Sequence, residues 1–200
     1  YGLEKIIVST YQAVSGAGQQ AILELEEQSA QLLKGEPVEP RILPVRSAEK
    51  HYQIAFNAIP QIDVFQDNGF TVEEMKMIRE TQKIFHQPDL PVTATCVRIP
   101  VYYGHSEAVY VELGSEFSLD DVRQLLADAP GVVLVDEPEN QQYPMAVTAS
   151  GRKEVFVGRV RQDLYHPRGL NLWIVADNLL KGAAWNAVQI AELMYVPASS

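Results

Sequence analysis

Thr95-Cys-Val-Arg-Ile-Pro-Val-Tyr-Tyr-Gly-His105 places an always-cationic guanidinium and a titratable imidazole seven residues apart in one short segment. Val97, Ile99 and Val101 alternate with Cys96, Arg98 and Pro100, which is the period of a half-buried strand. In a straight strand Arg98 and His105, an odd number apart, would face opposite ways. At about 3.3 Å per residue they would also lie roughly 23 Å apart, too far to grip one small substrate. A shared site therefore requires the chain to bend between Pro100 and Gly104. Without such a bend Arg98 is an ordinary strand charge and His105 an ordinary turn residue.

Working outward, His105-Ser-Glu-Ala-Val-Tyr-Val-Glu-Leu113 continues as a strand with Val109, Val111 and Leu113 on one side. Upstream, Thr71-Val-Glu-Glu74 fits a capping box, so a helix is expected from Val72 to about Phe85 with Val72, Met75, Ile78 and Phe85 facing the core. Glu73 and Lys76 are neighbours near its positive end. At the N-terminus a strand through Lys5–Tyr11 runs into Gln12-Ala-Val-Ser-Gly-Ala-Gly18 and a helix from about Gln19 to Lys34, with Ile22, Leu25, Leu32 and Leu33 apolar. A strand, a small-residue turn and a helix start can meet an anion or a cofactor amide, although as a motif Gly16-Ala-Gly18 is equally a tight turn. Residues 35–50, with three prolines, read as an extended crossing, and 51–60 as strand or buried loop, with His51 at the surface.

Ser118 caps a helix over 119–127 whose Val122, Leu125 and Leu126 point inward. Further strands are expected at Gly131–Val135, Met145–Thr148, Glu154–Val160 and Asn171–Ala176, and a last helix near Asn178. Successive strands with few helices between them give one α/β domain of α+β type over 1–200, a mixed, mostly antiparallel sheet with helices on one face.

The net charge of −10 argues against a nucleic-acid or anionic-membrane partner. No apolar run reaches the roughly 18 residues of a membrane span, and the cytoplasm is the default. Cys96 is the lone cysteine, which excludes a disulfide framework and a cysteine-based metal site; no metal site is expected.

Four blocks then converge. Ser9–Gly18, Ile54–Asp63, Glu73-Glu-Met-Lys76 with Arg79–Ile84, and Cys96–His105, in that order and with 22 residues from Lys76 to Arg98, resemble aspartate β-semialdehyde dehydrogenase. The resemblance implies conversion of aspartyl phosphate and NADPH to aspartate semialdehyde and phosphate through a cysteine thioester. It implies that Arg98 pairs with the substrate carboxylate, Glu73 with its ammonium and Lys76 with phosphate. His105 is then the general base, and Gln12 orients substrate. Ser15 and Gly16 touch NADP, with Asn178 by the nicotinamide amide. Asn57 and Asp63 read as structural.

The implied fold is the C-terminal domain of the glyceraldehyde-3-phosphate dehydrogenase-like enzymes, and the implied assembly a symmetric homodimer, for which the apolar Ile54–Ile62 segment is a candidate surface. Two features depart from the family pattern. No Gly-x-Gly-x-x-Gly follows a strand, and Cys96 sits two residues before Arg98, where the family has no nucleophile. The chain is therefore expected to be a C-terminal catalytic and dimerisation part, its terminal helix (about 178–194) packing on an absent NADP-binding domain, and inactive alone. Alternatives are a non-catalytic dimerisation module and an N-acetyl-glutamyl-phosphate reductase-like enzyme, in which Glu73 would meet no free ammonium.

Overall fold

The computed structural model describes residues 1–195. Among them six strands form one sheet: β1 (Leu3–Gln12), β2 (Val92–Arg98), β3 (His105–Leu113), β4 (Val132–Leu134), β5 (Val155–Gln162) and β6 (Gly169–Ala176), in the spatial order β2-β1-β3-β6-β5-β4. The two outer pairs, β1 with β2 and β4 with β5, are parallel, and the three inner pairs are antiparallel. The sheet is thus mixed and mostly antiparallel. Helices α1 (Gln19–Leu33), α2 (Val72–Ile84), α3 (Leu119–Asp128), α4 (Ala146–Ala149) and α5 (Trp185–Tyr195) complete the described chain.

Alternation sorts the strands into two faces. On one, Ile6, Val111, Val157 and Leu170 pack with Val122 of α3. That face continues through Thr10 and Cys96, whose Sγ meets the Met77 sulfur of α2 at 3.4 Å. Among the described residues the other face is covered at its β5–β6 end, where Ala149 of α4 joins Phe156 and Val175. A third cluster, at the strand ends, lays Ile22 and Leu25 of α1 against Leu43, Ile54 and Ile59 of the connection.

The capping box of α2 is present and is extended into the sheet. Thr71 Oγ1 accepts the Glu74 N–H and Glu74 Oε2 accepts the Thr71 N–H; Glu74 Oε1 accepts the Cys96 N–H at 3.0 Å. One buried carboxylate therefore fixes both the start of α2 and its seat on β2. That corrects the expected core face of the helix: its buried residue is Glu74, whereas Phe85 is exposed. Leu33 of α1 and Leu125 of α3 are exposed too, although their neighbours Leu32 and Leu126 pack on core clusters.

Met145–Thr148 is not a strand. Its residues form the single turn of α4, which packs on β6, with the Trp173 indole N–H donating to Pro144 O. The segment crosses close over β5, where a Cβ on Gly158 would meet Pro144 Cδ at 2.6 Å. His51 is half-buried with its Nε2 covered, not a surface residue. Of the Ile54–Ile62 segment, Ile54, Ile59 and Ile62 are buried within this chain, and Phe56 is its exposed large apolar side chain. The last helix starts at Trp185: Gly182, at φ +84, and its neighbours Lys181 and Ala183 break the helical path, leaving Asn178 in the connection after β6.

Candidate active site

The neighbours of β1 decide the site. β2 runs parallel to β1 and ends with Arg98 beside Gln12, while β3 runs antiparallel and pairs Ser106 with Tyr11, which sets His105 next to Gln12. Between them Ile99–Gly104 arches over the end of β1, with Ile99 N–H donating to Gln12 O at 3.0 Å and Val14 N–H to Val101 O at 2.8 Å. Because the chain reverses there, the odd separation of Arg98 and His105 no longer sends them to opposite faces. Arg98, Gln12 and His105 form one row across three strands.

Both outer members of that row are held by a single residue. Arg98 Nη1 donates to Ala13 O at 2.7 Å, and the Ala13 N–H donates to His105 Nδ1 at 3.0 Å. Gly16 lies over them: a Cβ there would stand 3.0 Å from Arg98 Nη1 and 3.4 Å from His105 Nε2. One methyl-sized position thus touches both groups.

Arg98 is 4 % exposed, and its Nε has no partner among the described residues. Burial lowers the guanidinium to about 10, with Glu73 opposing the shift, so it stays cationic at neutral pH. A buried N–H without an acceptor is costly, and the side edge of a guanidinium matches a carboxylate with two parallel bonds. His105 is pushed down to about 4, first by burial and then by Arg98, with Asp177 opposing and Lys76 adding a smaller push in the same direction as Arg98.

α2 enters from the side. Thr10 Oγ1 donates to Gln12 Oε1 at 2.9 Å, which turns the Gln12 Nε2 toward Glu73 Oε1 at 3.2 Å. Lys76 Nζ stands 3.6 Å from the other Glu73 oxygen, and the lysine is half exposed. Beyond the row, the Asn178 amide donates to Ser15 Oγ at 3.1 Å and accepts from Gly104 N at 3.0 Å.

All eight sequence-selected residues, Gln12, Ser15, Gly16, Glu73, Lys76, Arg98, His105 and Asn178, line one cavity of about 820 Å³. Sequence reasoning missed other lining residues: Arg46, Lys181 and Glu107. Glu107 was legible, being two positions beyond His105 on the same strand face; its carboxyl is raised by burial. Asp63, read as structural, also lines the cavity. Asn57 does not, its side chain closing a local turn onto Gln53 O. Among the described residues no group of three or more His, Cys, Asp or Glu could hold a metal.

Residues 1–181 match the family model described as semialdehyde dehydrogenase, dimerisation domain. The chain is 61% identical over 193 residues to the aspartate-semialdehyde dehydrogenase of Bacillus subtilis, an alignment that takes in 96% of this chain and 56% of that protein. It superposes at a TM-score of 0.88 and 49% identity on aspartate semialdehyde dehydrogenase II from Vibrio cholerae complexed with ASA, covering 98% of this chain and 56% of that one. An aspartate semialdehyde dehydrogenase from Candida albicans, solved with NADP, shares the fold at a TM-score of 0.63 and 20% identity, over 96% of this chain and 50% of that one. The chain thus spans little more than half the length of the relatives it matches.

Proposed function

The chain belongs to the semialdehyde dehydrogenase family, as its dimerisation domain, and on that footing we propose that it supplies the substrate-binding wall of an aspartate-semialdehyde dehydrogenase. The reaction is conversion of aspartyl phosphate and NADPH to aspartate semialdehyde, phosphate and NADP, through a thioester on a cysteine outside this chain. The observation that carries the reading is a buried Arg98, its Nε without a partner among the described residues, lining a cavity that also presents Glu73, Lys76 and His105. An amino acid whose side chain is acylated has a carboxylate and an ammonium at one end and the reacting carbonyl at the other. Arg98 takes the carboxylate side-on, Glu73 the ammonium, and Lys76 the phosphate as a mobile point charge. Gln12, its amide orientation set by Thr10 and Glu73, fixes the pose, and His105 stands at the reacting centre.

When bound, NADPH would supply the hydride that reduces the acyl group. Ser15 and Asn178, hydrogen-bonded to one another at 3.1 Å, offer the donor and acceptor that a carboxamide needs. The fit extends only to the amide end, since no strand in this chain leads into a Gly-x-Gly-x-x-Gly turn.

Dimerisation belongs to the sheet face that α2 and α3 leave uncovered. Ile7, Tyr11, Ala108 and Trp173 share it, and Ile7 is 38 % exposed. Placed in a cytoplasmic biosynthetic enzyme, this face meets its own copy. The deciding experiment is kinetic: an active enzyme carrying this chain should lose substrate use on Arg98→Leu with little change in NADP binding. Equal weakening of both would overturn the assignment.

A further inference from the structure

We infer that Glu73 couples the two ends of the substrate: its carboxylate holds Lys76 back until an ammonium takes that carboxylate, so the substrate's amino group raises the affinity for phosphate. This rests on the proposed function, in which Glu73 meets the ammonium and Lys76 the phosphate.

Lys76 Nζ stands 3.6 Å from Glu73 Oε2, one turn further along α2. Gln12 Nε2 donates to the other oxygen, Glu73 Oε1, at 3.2 Å. The two contacts differ in kind. Gln12 is buried, and its amide is set by the Thr10 hydroxyl at 2.9 Å, so that contact is built into the site. The lysine contact is longer than a hydrogen bond and its side chain is half in solvent, so Lys76 is the partner that can leave.

The carboxylate that receives the ammonium is therefore also the counter-ion of the cation that receives the phosphate. An arriving ammonium brings Glu73 a second positive charge. That weakens the hold on Lys76, and it also cancels the repulsion between Glu73 and a phosphate drawn to Lys76. Both effects have the same sign, and by linkage bound phosphate raises the affinity for the ammonium by the same factor.

The other charges of the cavity do not duplicate this device. Arg98 feels the Glu73 charge, but it is buried and fixed on Ala13 O at 2.7 Å. Asp63 and Glu107 line the cavity, yet Glu73 is the ion-pair partner of Lys76 among the described residues. An aldehyde with the carboxylate but no amine thus loses its own contact with Glu73 and also meets a lysine that is still engaged. Its use of phosphate suffers as well as its binding.

The test is kinetic, in the direction that consumes aldehyde, phosphate and NADP, on an active enzyme carrying the chain. Aspartate semialdehyde and succinate semialdehyde differ only in the amine. At saturating aldehyde the KM for phosphate should be about two- to fivefold higher with the amine-free substrate, the range of an ion pair half in solvent. In Glu73→Gln the gap should close, and the KM for phosphate with the amine-free substrate should fall below that of the unaltered enzyme, because Lys76 is released. General damage to the site would raise it. Equal KM values for the two aldehydes in the unaltered enzyme, or a gap that persists in Glu73→Gln, would overturn the inference.

Calorimetry reads the same coupling without turnover. Inorganic phosphate should bind about two- to fivefold more tightly in the presence of saturating L-2-aminobutyrate than of butyrate, and equally with either in Glu73→Gln. Equal binding in the unaltered enzyme would overturn the inference. Inactivity of that enzyme toward aspartate semialdehyde would overturn the proposed function, whereas an active enzyme without the coupling overturns this inference alone.

Discussion

Arg98 commits one guanidinium nitrogen to Ala13 O and leaves Nε without a partner, which is why lysine cannot replace it. Arg98→Lys keeps the charge but loses the fork, and kcat/KM should fall by about 100-fold or more, mainly through KM, since removing a charge-assisted bidentate contact costs about 2–3 kcal/mol. Steady-state kinetics on an active enzyme carrying the chain would check it. At Gly16 the requirement is space: Gly16→Ala brings a methyl to 3.0 Å from Arg98 Nη1. That substitution should lower activity about tenfold or more through displacement of Arg98 and His105, with the melting temperature nearly unchanged. A fully active Gly16→Ala enzyme would show that both side chains have other room.

His105 also contributes to stability in a pH-dependent way. Its folded pKa of about 4 lies below the ordinary 6.5, so the unfolded chain binds the proton more tightly between those values. Stability held above pH 6.5 is lost as the pH falls toward 4, by at most about 3 kcal/mol, the linkage equivalent of that shift. Urea titrations across this window should show the slope in the native chain and a shallower one in His105→Gln. The residue identities were readable from the sequence, but the 3.0 and 3.4 Å contacts at Gly16 were not, because they join segments more than 80 positions apart, a separation no local pattern reports.

Among the elements, α2 shows local and distant information meeting. Its capping box was written in Thr71 and Glu74, and the structure has it. The second carboxylate oxygen, on the Cys96 N–H, is a tertiary contact that turns a helix cap into an anchor for Glu73 and Lys76. Thr71→Ala should cost about 1 kcal/mol, as cap removal does. Glu74→Ala should cost more, about 2–5 kcal/mol, because it strands two buried N–H groups, those of Thr71 and Cys96. Chemical denaturation would rank them; the reverse order would mean that the anchor to β2 carries little. The elements that misled, α4 and the start of α5, are short or broken. Met145–Thr148 has a strand's composition but is packed as one helical turn by β6, and a left-handed Gly182 cuts the last helix below Asn178.

For the whole molecule, the chain alone should not turn over aspartate semialdehyde with NADP and phosphate. Cys96 lies wholly buried against Met77, and burial raises its thiol to about 12, so it offers no thiolate. Turnover by the purified 200-residue chain would refute this. The same chain should sediment as a dimer, and Ile7→Glu, on the uncovered face, should shift it toward monomer. A monomer at tens of micromolar would move the contact elsewhere.

By itself the sequence determined the mixed sheet, the main helices, the family and eight of the residues that line the cavity, because alternation, caps and motif spacing are local properties that survive without the fold. Only the tertiary structure decided that Arg98 and His105 share a face, that Ala13 holds both, and that Ile54, Ile59 and Ile62 are core while Phe56 between them is exposed. The physical reason is that strand order sets those neighbours. With β1 inserted between β2 and β3, residues remote in sequence are brought to one sheet end, and the hydrogen bonds that position them run between strands.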